Sequence, residues 1–213
     1  MGKILSAAKY VFKILVHKAC VGYFCFKAGL YWRGIVHDLS KFHPAELMES
    51  IRYYSPDRSP IILAKEENGW SSAWLHHKGM NRHHYEYWVD DIDHGGKLIR
   101  MPFNDALELV CDGLGASIAY NWKVKGLYQN EWKWWTECCL KKARMHPQTR
   151  MFIHMMLRTM KEENSSRILD RRLAEWTYNE AASRCRDFPA ACPIEQCKWQ
   201  EPEDFLDKAF WEC

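Results

Sequence analysis

The chain has 213 residues, enough to bury a sizeable core in one main globular unit without help from disulfides. Thirty basic against twenty-seven acidic side chains leave a formal net charge of +3, too small to call for nucleic acid or an anionic membrane as an obligatory partner. The 47% hydrophobic and 27% charged content is ordinary for a soluble protein, whereas eleven Trp, ten Tyr and nine Phe predict an aromatic core or an aromatic-lined cleft.

From Ser6 to Lys27 the apolar residues fall at helical spacing, with Tyr10, Ile14, His17, Val21 and Phe24 on one face, so His17 points where the core should be. Lys13, His17 and Lys18 interrupt the apolar run from Val11 to Phe26 and make it a poor membrane span. After Gly29 a second helical segment runs through Trp32, Ile35 and Val36 to His37 and Asp38. Pro44 then opens the next helix, which puts "HDLSKF" at a helix end. A loop holding Pro56 and Pro60 leads to a helix pair around Trp70 to Trp88, broken near Gly79 and Asn81, with His76 and His77 before the break and His83 and His84 after it.

Asp93 to Pro102 reads as a loop, followed by a helical stripe of Leu107, Val110, Cys111, Leu114 and Ile118, bordered by Asp112. An aromatic helix is expected over Glu131 to Trp135, where Trp132, Trp134 and Trp135 cannot all face one side, and another over Pro147 to Glu163 with Met151, Met155, Leu157 and Met160 for packing. No β-alternation of useful length is seen. The expectation is an all-α bundle of about six to eight helices over residues 1–165. A C-terminal helix and a Cys- and Pro-containing tail or cap, 166–213, pack on it, the tail separating after about Asp187.

Nine cysteines, an odd number, with no secretion signal, predict reduced thiols and a cytoplasmic protein. Cys185, Cys192, Cys197 and Cys213 lack the spacing of a paired CxxC site and read as free thiols rather than zinc ligands. The imidazole and carboxylate residues are more telling. In chain order they are His17, His37 with Asp38, His76 or His77, His83 with His84, and Asp112. Neutral imidazoles with carboxylates suit one or two ions of Mn, Fe, Co, Ni or Zn, and a helix end can aim adjacent His and Asp at one ion or let the carboxylate bridge two. Which two of the four histidines from His76 to His84 would bind is open. Alone, His17 reads as a core histidine, and Asp112 with Glu108 and Asp105 at one-turn steps reads as a solvated face. Glu46, one turn into the helix after Pro44, can orient a ligating imidazole from behind. Arg82 and Arg100 can bind anions, but their sequence positions do not place them in a cleft.

"HDLSK", "NRHHYEYW" and "LELVCDGLGA" together resemble the HD superfamily of metal-dependent phosphohydrolases, over roughly residues 10 to 120. "HDLSKF", "NRHHYEYW" and "CDGLGASIAYNW" more nearly resemble an uncharacterised bacterial and phage family of HD-like proteins, to about residue 160. The superfamily resemblance implies an HD-like helical fold and a primary ion on His17, His37, Asp38 and Asp112. It implies a second ion or proton donor among His76, His77, His83 and His84, with Lys41 meeting a substrate phosphate and Asp38, Lys41 and His83 taking part in catalysis. The implied substrate is a small phosphorylated molecule such as a nucleotide. The tripeptide Gly-Tyr-Pro of the superfamily's cyclic-dinucleotide branch does not follow the paired histidines here, which argues against that substrate. The same residue types also suit a di-iron oxygenase, or an inactive nucleotide-binding protein on the same scaffold.

Overall fold

The computed structural model describes residues 2–56, 58–90, 92–121 and 143–195. The expected helix over Glu131 to Trp135, with Trp132, Trp134 and Trp135, lies outside the described residues, as do Cys197 and Cys213. Among the described residues the protein is a mostly α-helical bundle of eight helices: α1 (Gly2–Lys27), α2 (Tyr31–Val36), α3 (Pro44–Arg52), α4 (Pro60–Asn68), α5 (Ser72–Met80), α6 (Phe103–Asn121), α7 (Pro147–Glu162) and α8 (Arg171–Arg184). The expected bundle of six to eight helices is what forms.

α1 buries Tyr10, Ile14, His17, Val21 and Phe24, the face its spacing predicts, against α6. Gly29 ends it in the left-handed region (φ 71°), and Leu30 N–H donates back to Cys25 O at 2.7 Å, so the chain turns at once into α2. α2 then lies close on α1: a Cβ on Gly34 would stand 2.9 Å from Cys25 Cβ. That approach is what brings the end of α2 to His17. Pro44 occupies the first turn of α3, as expected, and the Glu49 carboxylate accepts from the backbone N–H groups of Ser72 and Ala73, both at 3.1 Å, at the start of α5. An anion on those unpaired N–H groups fixes α5 across α3.

Leu107, Val110, Cys111 and Leu114 of α6 join Phe152, Ile153, Met156 and Met160 of α7 and Ala174 and Ala181 of α8 in one core. Three expectations need correction. Of the helix pair placed around Trp70 to Trp88 only the first member forms, as α5; beyond Asn81 the chain makes only a 3-10 turn, Tyr85–Trp88, and α4 precedes the expected pair, beginning at Pro60. Asp93 to Pro102 is not all loop, and residues after Asp187 are not all separate tail. β1 (Val89–Asp90), β2 (Lys97–Ile99) and β3 (Ala191–Pro193) form an antiparallel sheet in the order β1-β2-β3, with Leu98 opposite Val89 and Cys192. Strands of two and three residues are too short to print an alternation in the sequence; their pairing comes from tertiary contact. Cys192 is disulfide-bonded, against the expectation of reduced thiols throughout, while Cys20, Cys25, Cys111 and Cys185 are free. No described helix is long and apolar enough to cross a membrane.

Candidate metal centre

Four helices deliver the site. His17 comes from the buried face of α1, His37 closes α2, His77 lies on α5 and Asp112 on α6, while His83 and His84 follow the break after Met80. Asp38 is in the left-handed region (φ 55°), which only Gly, Asn and Asp adopt readily, and this bend swings its carboxylate inward, where the residue is 1% exposed.

The two oxygens of Asp38 face different groups. Oδ2 lies 3.1 Å from His17 Nε2 and 3.4 Å from His37 Nε2, and these same nitrogens stand 3.1 and 3.4 Å from Asp112 Oδ1. Oδ1 lies 3.5 Å from both His77 Nε2 and His83 Nε2. Two atoms held by one ion at about 2.0–2.2 Å, at angles near 90–110°, are roughly 3.0–3.5 Å apart, which is the spacing seen. His17, His37, Asp38 and Asp112 thus form one set that could hold a metal ion, and Asp38, His77, His83 and His84 a second, each with donor atoms within 4.8 Å of one another. His37 Nε2, His83 Nε2, His84 Nε2 and Asp38 Oδ1 are buried without a hydrogen-bond partner. Orphaned polar atoms in such number cost stability unless something binds them, and a cation is a ligand that would suit lone pairs converging from several sides.

Behind the ligands stands a layer of carboxylates. Glu108 faces His37 Nδ1 at 2.9 Å and His83 Nδ1 at 3.4 Å, and Glu46 faces His77 Nδ1 at 2.8 Å. A carboxylate on Nδ1 holds the proton there and leaves Nε2 with a lone pair to give. His37, His83 and Glu108 also lie close enough to hold an ion, and with protons on both Nδ1 atoms the group would act instead as a hydrogen-bond layer behind the two sets. Arg33 Nη1 in turn donates to Glu108 Oε2 and Asp105 Oδ1, each at 2.8 Å.

The electrostatics follow. Burial opposes charge on Asp38, but His37, Lys41 and His77 outweigh it and hold the carboxyl well below the usual range; against the same burial, His17 and His37 do so for Asp112. Burial disfavours a charged His37, yet Asp38, Asp112 and Glu108 push its pKa up to about 10. His84 goes the other way, since burial and then its neighbours His83 and His77 hold its pKa well below the ordinary value. Its Nε2 is buried without a hydrogen-bond partner.

His17, His37, Asp38, His77, His83, His84 and Asp112 are thus brought together. His76 is not: its Nδ1 faces Glu46 at 2.7 Å and its ring stacks on His43, 4.6 Å between centroids. Lys41 ammonium binds Asp38 Oδ2. It lines a recess of about 50 Å³ with Lys13 and His17, separate from an open cleft of about 780 Å³ that reaches His37, Asp38 and His83. Arg82 lines that cleft; Arg100 instead lies 4.3 Å over the Tyr178 ring. Asp105 and Glu108 are 2% and 6% exposed, so the solvated face that their spacing alone allows is not what forms on α6. The available signal was Glu108 four residues before Asp112, which puts both on the face that meets His17 and His37.

The family model of a family of unknown function, DUF5662, matches residues 6–159. The chain belongs to that family. The match spans every residue of both sets and of the carboxylate layer. No curated protein and no solved structure matches the chain.

Proposed function

We propose that this member of the family is an HD-type, metal-dependent phosphohydrolase acting on a nucleotide or related phosphate ester. The observation that carries the reading is the Asp38 carboxylate, whose two oxygens address two groups of imidazole nitrogens. His17, His37 and Asp112 would complete one site and His77, His83 and His84 the other, for two ions of Mn, Fe, Co, Ni or Zn. Such ions supply Lewis acidity toward a phosphoryl oxygen and lower the pKa of water to about 7.

The protein's own groups do the rest. Glu108 and Glu46 keep the histidine nitrogens aimed. Lys41 offsets the charge of Asp38, a different role from the phosphate contact the superfamily resemblance implies. In the cleft, Arg82 is half exposed and Trp32 is 71% exposed, a cation and an aromatic face for the phosphate and the base of a nucleotide. His76 lines the same cleft with its Nδ1 on Glu46 and is the group to protonate the leaving oxygen.

The test is metal analysis of the purified protein together with turnover of a phosphate-ester panel, wild type against Asp38→Asn. Hydrolysis that disappears along with bound metal in the variant supports the proposal. Metal-replete protein inactive on every ester refutes it. Oxygen uptake with a di-iron spectrum, or a nucleotide recovered intact after tight binding, would refute it in favour of an oxygenase or of a binding protein.

A further inference from the structure

α1 has an unusual outer surface. The side of this helix that faces away from the core carries Leu5, Ala8, Phe12, Leu15, Ala19, Tyr23 and Phe26, spaced three and four residues apart, and all seven are exposed. Leu5, Phe12, Leu15, Tyr23 and Phe26 are each about half exposed, from 47% to 58%. The opposite face is the buried one that meets α6, and Lys9, Lys13, Lys18 and Lys27 lie on the flanks, so the helix has two apolar faces. A continuous exposed apolar stripe of this kind marks an interaction surface. At 26 residues α1 is long enough to span lipid, but it is not apolar enough to do so. The two lysines near its middle are turned off the stripe, Lys13 Nζ toward Pro56 O at 3.3 Å and Lys18 Nζ toward Ile35 O at 3.0 Å, while exposed Lys9 borders it beside Leu5 and Phe12.

We infer that the outer face of α1 is the interface of a twofold dimer, with α1 of a second copy lying antiparallel on it. The stripe is complementary to itself in one register. When the helices run antiparallel about a twofold between Leu15 and Val16, Leu5 comes level with Phe26, Ala8 with Tyr23 and Phe12 with Ala19. A bulky side chain then meets a small one in two of these layers, as close packing of two helices requires. The patch extends beyond α1, because the Phe26 ring packs on Tyr31, 5.5 Å between centroids, and Tyr31 and Ile35 of α2 are 61% and 54% exposed. Together these nine side chains expose on the order of 900 Å² per copy, against roughly 800 Å² per partner in an interface of standard size. His17 leaves α1 on its opposite, buried side, so the dimer leaves the metal centre accessible.

The experiment is sedimentation velocity of the full chain across the micromolar range, with Phe12→Glu and Leu15→Glu as variants. The expected result is a dimer in the wild type and a monomer in each variant, with helical content by circular dichroism and bound-metal stoichiometry unchanged. Orientation is read in a Cys20→Ser background. Leu15→Cys, near the twofold, should form an intermolecular disulfide with its own copy, whereas Leu5→Cys should not. A wild type that stays monomeric throughout, alone or while floating with anionic vesicles, overturns the inference. So does efficient self-crosslinking at Leu5→Cys, which would mean parallel helices. Should a Glu variant unfold, Phe12→Ser serves as the milder test of the same contact, and a dimer as tight as the wild type would refute it.

Discussion

Gly115 is the point at which fold and site are most tightly tied. A Cβ at this position on α6 would lie 2.5 Å from Val21 Cγ2, 2.6 Å from Val21 N and 2.8 Å from Val21 Cα. Two of those atoms are backbone and cannot swing aside, so Gly115→Ala must part α1 and α6 by about 1 Å to restore ordinary contact near 3.5 Å. Overpacking of this kind costs about 1–3 kcal/mol, and the better helix propensity of Ala returns up to about 1, leaving a loss near 1–2 kcal/mol. For a chain of this length that is a fall of roughly 2–8 °C in the melting midpoint. His17 is one turn before Val21 and Asp112 three residues before Gly115, so the same parting separates His17 Nε2 from Asp112 Oδ1, now at 3.1 Å. Metal affinity at that set should drop by about tenfold or more, as it does when ligand placement is disturbed elsewhere. Differential scanning fluorimetry and metal titration read both effects. Gly79→Ala is the control, since its added Cβ meets nothing within 4 Å and should leave both readings unchanged or slightly raise stability. If Gly115→Ala melts and binds metal like the wild type, the close approach does not govern the site.

Asp38→Asn should abolish both ion sites, whereas His84→Ala should remove only the second, which elemental analysis reads as a drop to none and to half of the wild-type metal content. Glu108→Gln keeps the shape but loses the anion that orients His37 and His83, and calorimetry should show metal binding weakened about 10–100-fold. His154, on α7 and away from the centre, has a pKa pushed down to about 4 by burial and by Arg158 and Arg150. Its neutral form is the folded one, so its stability contribution is present above about pH 6.5 and is lost as pH falls toward 4. That shift is worth roughly 3 kcal/mol. His154→Gln should flatten the fall in denaturation midpoint between pH 6.5 and 4, and an unchanged slope would sink the assignment.

Much of this was legible in the residues. The buried face of α1, the stop at Gly29 and Pro44 at the start of α3 follow from helical spacing, a left-handed turn and a missing N–H, which are local properties. The residues of the two sets were legible by type and order, and Glu46, which faces His77 Nδ1, by its place one turn into α3. What spacing could not choose among were the four histidines from His76 to His84. The chain leaves helical geometry at Asn81, and only the path of that turn brings His83 and His84 beside His77 while His76 points into the cleft. The burial of Asp105 and Glu108 was not legible for a related reason. Acidic residues at one-turn steps look solvated until a cation is known to face them, and Arg33 comes from a helix more than seventy residues away.

The charges of the centre argue for function over stability. Asp38, Glu46, Asp105 and Glu108 are all buried, and Asp112 is only 16% exposed at its side chain. Removing carboxylates from water is costly, and ion pairs in protein interiors often stabilise less than well-packed apolar side chains of the same volume. A fold selected for stability alone would fill the space between α1, α2, α5 and α6 with leucines. In this chain Arg33 pairs with the outer carboxylates and Lys41 with one oxygen of Asp38, and Asp38, Asp112 and Glu108 raise the pKa of His37 to about 10. A divalent ion held by His17, His37, Asp38 and Asp112 would compete with protonation of that imidazole and offset the desolvation of these carboxylates.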